Sequence, residues 1–367
     1  MRVIHSRKSA LPLALSAVFL ALSATSHAAR IYSADNGDYM DVFGEIGVGG
    51  YFGNKAKFNQ FNGDESFIDD TLATLGAKGQ VAGIHYRLEL DYVRENWPNG
   101  SGEMVTEVDK AWLGYRISPQ HKIEIGLNDT AFDDYDAFGD LTIEGGVETQ
   151  EAGDQSRTIK YEGHYFDLIR VGLSYSYRAE SSSGAALGNL INGYVGYFSD
   201  PLSIVLGAEK RNGSGGESRF GEKNLYGVGL RYAITPDILL GINGFIEYQD
   251  EAQRRTLIKE AVDDKPAVYQ FNNYEQLKNQ GGLISVQYSL TPQWDLIGSV
   301  NYEKYQSWDK FDQYWDEHQD RWDSWGASRT WQTVGVRYKP SRSAVIELEA
   351  NIGEAYYESY AKARIFF

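Results

Sequence analysis

Any chemistry in this chain has to come from carboxylates, a few histidines and the indole rings, because the sequence contains no cysteine. The densest acidic run is Asp133, Asp134, Asp136, Asp140 and Glu144. Carboxylates so spaced can move protons, hold a cation or charge a solvated surface. His5 and His27 lie in the N-terminal segment, which leaves His85, His121, His164 and His318. No Gly-x-Ser-x-Gly accompanies them, and no Ser–His–Asp spacing can be built. No His-Glu-x-x-His or calcium-loop pattern occurs either. The expectation is a protein that is not an enzyme, without metal or cofactor, whose acids form solvated faces. The other unusual residues are Trp308, Trp315, Trp322 and Trp325, in one polar stretch. Their flat apolar faces suit sugar rings, although packing that stretch down on a barrel mouth or a neighbouring subunit is the plainer reading. The spacing of Phe311, Tyr314 and Trp315 predicts a short helix there.

The N-terminus sets the compartment in which these residues act. Arg2, Arg7 and Lys8 precede an apolar run from Leu11 to Leu22, interrupted at Pro12 and followed by Ser26-His27-Ala28. This reads as a signal peptide of residues 1–28, cleaved after Ala28. Losing those three positive charges takes the formal net charge from −16 to −19. Such acidity argues against a nucleic-acid partner, since no basic face is left to meet phosphate. After the signal no apolar stretch approaches the roughly 18–20 residues of a membrane helix. Barrel strands are not excluded, because they hide within average hydropathy.

Periodicity points to such strands. Ile84, Tyr86, Leu88, Leu90 and Tyr92 alternate with His85, Arg87, Glu89 and Asp91. Ile123, Ile125 and Leu127 alternate with Lys122, Glu124 and Asn128. The same period of two recurs through residues 169–177, 226–232, 238–248, 284–290, 294–302, 334–338 and 344–352. One apolar and one polar face is what a strand between unlike media requires. Short Pro-bearing turns, such as Ser118-Pro119-Gln120 and Thr291-Pro292-Gln293, alternate with long polar stretches. Those stretches are residues 95–103, 129–153, 180–188, 211–222, 249–280 and 306–326. Short turns on one side and long loops on the other describe an outer-membrane barrel of about sixteen antiparallel strands. The first strand is expected near Met40–Tyr51, the second near Asp70–Gln80, the eighth near Leu187–Phe198 and the last near Ser359–Phe367.

Within this frame, residues 109–146 resemble the general trimeric porins of Gram-negative bacteria. Lys110-Ala111-Trp112-Leu113-Gly114-Tyr115 is similar to one of their strands, and Ile123-Glu124-Ile125-Gly126-Leu127-Asn128 to the next. Tyr135-Asp136-Ala137-Phe138-Gly139 resembles their Tyr-Asp-Ala-Leu-Gly. The stretch from Asp140 through Glu144 to Gly145-Gly146 resembles their acidic loop tip. Thr158-Ile159-Lys160-Tyr161 and Asp41-Val42-Phe43-Gly44 resemble two further strands. The resemblance implies that the third loop folds inward and narrows a pore at Asp133, Asp134, Asp136, Asp140 and Glu144. It places Leu127 where the family carries a lumenal arginine, which removes one positive charge. Arg87, Lys122 and Lys160 have the parity to replace it on the pore wall, beside the neutral Asn128.

The expected function is a water-filled channel for small hydrophilic solutes that prefers cations. The alternative is an oligosaccharide-selective channel in which Trp308, Trp315, Trp322 and Trp325 form a stacking track. The resemblance also implies a homotrimer in the outer membrane, in contact with its lipids and lipopolysaccharide. The chain ends in Ile365-Phe366-Phe367, a terminal strand of the kind the barrel-assembly machinery reads, with Phe367 as its signal.

Overall fold

The computed structural model describes residues 28–53, 67–94, 103–147, 149, 151–180, 186–213, 221–259, 268–309, 315–317, 328–353 and 356–367. Residues 1–27, Trp322 and Trp325 lie outside that set. Every regular element among the described residues is a β-strand. In chain order these are β1 (Ala29–Ser33), β2 (Tyr39–Gly53), β3 (Phe67–Asp69), β4 (Leu72–Val81), β5 (Ile84–Arg94) and β6 (Met104–Ser118). There follow β7 (His121–Asp129), β8 (Asp154–Tyr165), β9 (Ile169–Glu180), β10 (Ala186–Phe198), β11 (Leu202–Arg211) and β12 (Lys223–Thr235). The remainder are β13 (Ile238–Lys259), β14 (Val268–Thr291), β15 (Trp294–Asp309), β16 (Trp315–Glu317), β17 (Ser328–Ser341), β18 (Ala344–Gly353) and β19 (Tyr356–Phe366).

Sixteen strands form one closed antiparallel barrel. The three short strands β1, β3 and β16 add onto β2 and β15. Closure is made by β19 on β2, from Glu358 opposite Gly53 to Phe366 opposite Glu45. Beyond that ladder Phe367 and Gly44 exchange two more backbone hydrogen bonds, at 3.0 and 2.9 Å. A closed ladder leaves no strand edge, which is the condition for burying backbone in lipid.

Alternation decides the faces. Leu113, Ile125 and Val334 are 60%, 56% and 61% exposed, while Glu124, Asn301 and Glu347 on the opposite face are buried. Apolar side chains outside and polar ones inside invert a soluble barrel and fit a lipid surround. The tight turns share a local device. The hydroxyls of Ser118, Thr235, Thr291 and Ser341 each accept the N–H two residues on, from Gln120, Asp237, Gln293 and Ser343, at 3.2–3.3 Å. A side-chain oxygen thus caps each turn, three of them over a proline that presets its bend.

Two expectations need correction. The polar stretch 249–280 is strand over its described residues, since β13 continues to Lys259 and β14 begins at Val268, and β15 carries strand into 306–326 as far as Asp309. A hairpin standing beyond the membrane has water on both faces, so it pairs without any dyad of apolar residues. The short helix expected around Trp315 is also absent where it is described. Trp315–Glu317 is strand, and Trp315 stands opposite Trp308 in register.

Candidate functional site

The segment between β7 and β8 turns into the barrel and lies along its inner wall. From Thr130 to Gly153 it carries seven acids (Asp133, Asp134, Asp136, Asp140, Glu144, Glu148 and Glu151) and no lysine, arginine or histidine. It enters with its backbone held by wall side chains. Ala131 N–H donates to Ser174 Oγ at 3.1 Å, and Phe132 N–H to Asn192 Oδ1 at 3.3 Å. Asn243 Nδ2 then donates to the carbonyls of Asp136 and Phe138 at 2.8 and 3.1 Å. Ser285 Oγ donates to the Gly139 carbonyl at 3.1 Å.

The tip is fixed on the far side of the barrel. The Glu349 carboxylate accepts Ile143 N–H at 2.6 Å and Glu144 N–H at 3.1 Å. Trp331 Nε1 donates to the Gly145 carbonyl at 2.8 Å. The Tyr51 hydroxyl donates to Glu144 Oε2 at 2.7 Å. Asp140 Oδ1 accepts both the N–H and the hydroxyl of Thr142 at 2.8 Å, so its carboxylate shapes the turn before the tip. On the way back Val147 packs with Phe245, Leu283 and Trp331.

Close approach needs room in the wall. A Cβ on Gly229 would stand 1.8 Å from the Phe138 carbonyl oxygen, and one on Gly241 2.1 Å from that of Gly139. The Phe132 ring fills the space left by Gly207 and Gly227. The chain lies flat there because the wall offers no side chains.

Burial and crowding set the charge state of the loop acids. Asp133 is pushed up to about 7 by burial and by the nearby Asp129 and Asp136. Asp134 is pushed up to about 6 by burial, against the opposing pull of Lys160. Glu151 rises well above the usual carboxylate range through burial and the charges of Asp133 and Glu209. At the loop base the carboxylates of Asp129, Asp133 and Asp154 come within 4.8 Å of one another. Lys110 Nζ stands 2.7 Å from Asp129 and 2.5 Å from Asp154, so an ammonium already supplies the cation this group would take.

The wall residues singled out in the sequence all face the lumen, and each is engaged. Arg87 pairs with Glu89 at 2.5 Å. Lys122 pairs with Glu124 and Glu162 at 2.7 and 2.6 Å, and Lys160 with Asp134. Asn128 Nδ2 donates to Glu124 Oε2 at 2.7 Å. Leu127 is a correction. It stands opposite Ala111 on the outward face, beside the exposed Ile125, so its apolar side chain takes no charge from the pore. This is the face that the alternation through Ile123 and Ile125 gives it, and not the lumenal one that the resemblance implies. Trp308 near the end of β15 pairs in register with Trp315 of β16. Sequence reasoning missed Tyr51, Lys110, Asp129, Asp154, Trp331 and Glu349. Parity alone places Glu349 in the lumen, between the outward Leu348 and Ala350.

Comparison with known proteins agrees with this geometry. No curated protein matches the sequence. Among solved structures, a loop-L8 deletion mutant of OmpT, an outer membrane protein of Vibrio cholerae, superposes with a TM-score of 0.63 at 15% identity, over 90% of this chain and 100% of that one. Salmonella typhi OmpF in complex with daunomycin gives 0.62 at 13% identity, over 92% and 100%. An anion-selective porin from Comamonas acidovorans gives 0.58 at 12% identity, over 90% and 100%. These likenesses concern the fold. A family model for Gram-negative porins matches residues 14–354. The chain is a member of the Gram-negative porin family, a channel-forming β-barrel of the outer membrane.

Proposed function

We propose that this porin passes small hydrophilic solutes by passive diffusion and prefers cations, with Asp133, Asp134, Asp136, Asp140 and Glu144 at its constriction. The observation that carries the reading is the inward segment with seven acids and no base. The cations of the wall strands β5, β7 and β8 at Arg87, Lys122 and Lys160 are spent in ion pairs with wall or loop carboxylates. Low-dielectric walls focus the remaining negative field along the lumen. Planar-bilayer reversal potentials in a KCl gradient test it. A reversal potential of the sign for cation excess is expected, and one of the opposite sign overturns the reading.

The same proposal includes removal of residues 1–28 as a signal and recognition of Phe367 by the assembly machinery. It includes a homotrimer embedded among outer-membrane lipids and lipopolysaccharide, and no enzymatic activity. Sugar-dependent current blocks in the same recordings would instead favour the oligosaccharide channel with its Trp308, Trp315, Trp322 and Trp325 track.

A further inference from the structure

We propose that the wall formed by β4 to β7 carries a subsite for a small organic acid, on the short-turn side of the inward loop. It goes beyond the cation preference above and rests on different residues. The register puts like charges side by side. Lys78 stands opposite Arg87, and Arg116 opposite Lys122, all on the lumenal face. Directly opposed like charges on one face destabilise a sheet pair, so two such pairs need a compensating partner.

Part of that compensation is visible. Arg87 has Glu89, and Lys122 has Glu124 and Glu162. Lys78 and Arg116 take part in no ion pair among the described residues. Lys78 stands opposite Asp41, which is itself paired with Arg30, and its Nζ lies 5.2 Å from the Phe43 ring, with Arg87 over the same ring at 5.4 Å. Lys78, Arg87, Arg116 and Lys122 thus stand beside three ion-paired carboxylates, Glu89, Glu124 and Glu162, which leaves an excess of positive charge on one small area of wall.

That area is concave. Lys78, His85, Arg87, Trp112, Arg116 and Lys122 line a cavity of about 190 Å³. Gly114 forms its floor between His85 and Glu124 in register. A Cβ there would come within 3.2 Å of Glu124 Cγ and Trp112 Cζ3, so a side chain would crowd the space. Arginine and lysine converging on a pocket match the geometry and charge of a carboxylate. The indole of Trp112 adds a flat apolar face that a carbon skeleton can lie against and a bare phosphate cannot. The lining residues fall between the Ala82–Gly83 and Pro119–Gln120 turns and the departure of the loop at Asp129, which puts the site at the periplasmic mouth.

The test is single-channel current through the full-length porin in planar bilayers at about 0.1 M KCl, where screening is moderate. Succinate added on the short-turn side should reduce the current in a saturable way, at lower concentration than inorganic phosphate. The double variant Lys78→Gln with Arg116→Gln should weaken that block roughly tenfold. The variant Asp140→Asn with Glu144→Gln should leave the block in place, which separates this site from the cation filter. Should the double variant misassemble, Arg116→Lys provides the second measurement: it keeps the charge, loses the planar fork, and should give an intermediate block. Absence of any succinate block overturns the proposal. So does an equal block by phosphate, or one unchanged in Lys78→Gln with Arg116→Gln.

Discussion

Tyr51 on β2 and Glu144 at the tip of the inward loop are joined by a 2.7 Å hydrogen bond donated by the phenol. The first strand of the barrel wall therefore holds a loop that begins four wall strands later. In Tyr51→Phe the acid loses this donor, at a cost of about 1.5–3 kcal/mol for a bond to a charged group. The barrel should keep its dichroism spectrum. Open-channel current noise should rise as the tip loosens, and noise equal to wild type would mean that Glu349 and Trp331 hold the tip unaided.

Neutralising the tip tests the filter. Asp140→Asn with Glu144→Gln keeps an oxygen to accept from Thr142 and Tyr51, so the loop geometry should survive. Cation preference should fall, most clearly near 0.01 M salt, where the Debye length is about 30 Å. At about 1 M, with screening within about 3 Å, the difference from wild type should shrink. A reversal potential unchanged at low salt would move selectivity to the outer loops.

Acidification should act in the same direction as neutralisation. Asp133 at about 7 and Asp134 at about 6 gain protons between pH 8 and pH 5, and Glu151 is raised by the same burial. Cation preference should therefore decline across that window. Stability moves the other way. These carboxyls bind protons more tightly folded than unfolded, so the folded state gains as pH falls through the raised values toward the ordinary aspartate range. Thermal unfolding in detergent at pH 8 and pH 5 reads the sign, and a higher midpoint at pH 8 would contradict it.

Removing Phe367 deletes the two backbone bonds it exchanges with Gly44 and unfills the ring's place against that glycine. Backbone groups left open at the lipid boundary are costly. The truncated chain should show less heat-resistant, surface-exposed barrel than wild type, measured by protease accessibility on cells and by gel mobility before and after heating.

Gly229→Ala probes the seat of the loop. Its Cβ would meet the Phe138 carbonyl at 1.8 Å, so the loop must shift. Overpacking of this kind costs about 1–3 kcal/mol. Single-channel conductance should change while the strand content does not, and identical conductance would show that the loop has slack there.

The barrel was legible because each strand separates lipid from water, and that boundary writes a period of two into Ile84–Tyr92 or Ile169–Tyr177. The hairpin of β13 and β14 was not, because beyond the membrane neither face needs to be apolar. For Leu127 the alternation through Ile123 and Ile125 reads outward and the family resemblance reads lumenal, and the structure follows the alternation. The inward course of the loop was implied by Tyr135 to Gly146, but its fastening was not. Ile143 meets Glu349 and Gly145 meets Trp331 across most of the chain, and only the closed barrel brings such partners together. The acids read as one group also divide in the structure: Asp134 is paired with Lys160, Asp140 shapes a turn, and Glu144 is tethered to Tyr51.

The glycines of the wall, at positions 207, 227, 229 and 241, are a mould cast in advance of its contents. They stand on three successive strands, β11 to β13, and the Phe132 ring with the backbone at Phe138 and Gly139 is the shape they leave empty. The address of the loop is thus inscribed in the wall and not in the loop. A loop transplanted from a relative into this barrel would inherit the present route across the lumen, whereas this loop moved to a barrel with bulkier residues at those positions would have nowhere to lie. Pore size would then follow the recipient wall rather than the donor loop, and the two can diverge independently in descent.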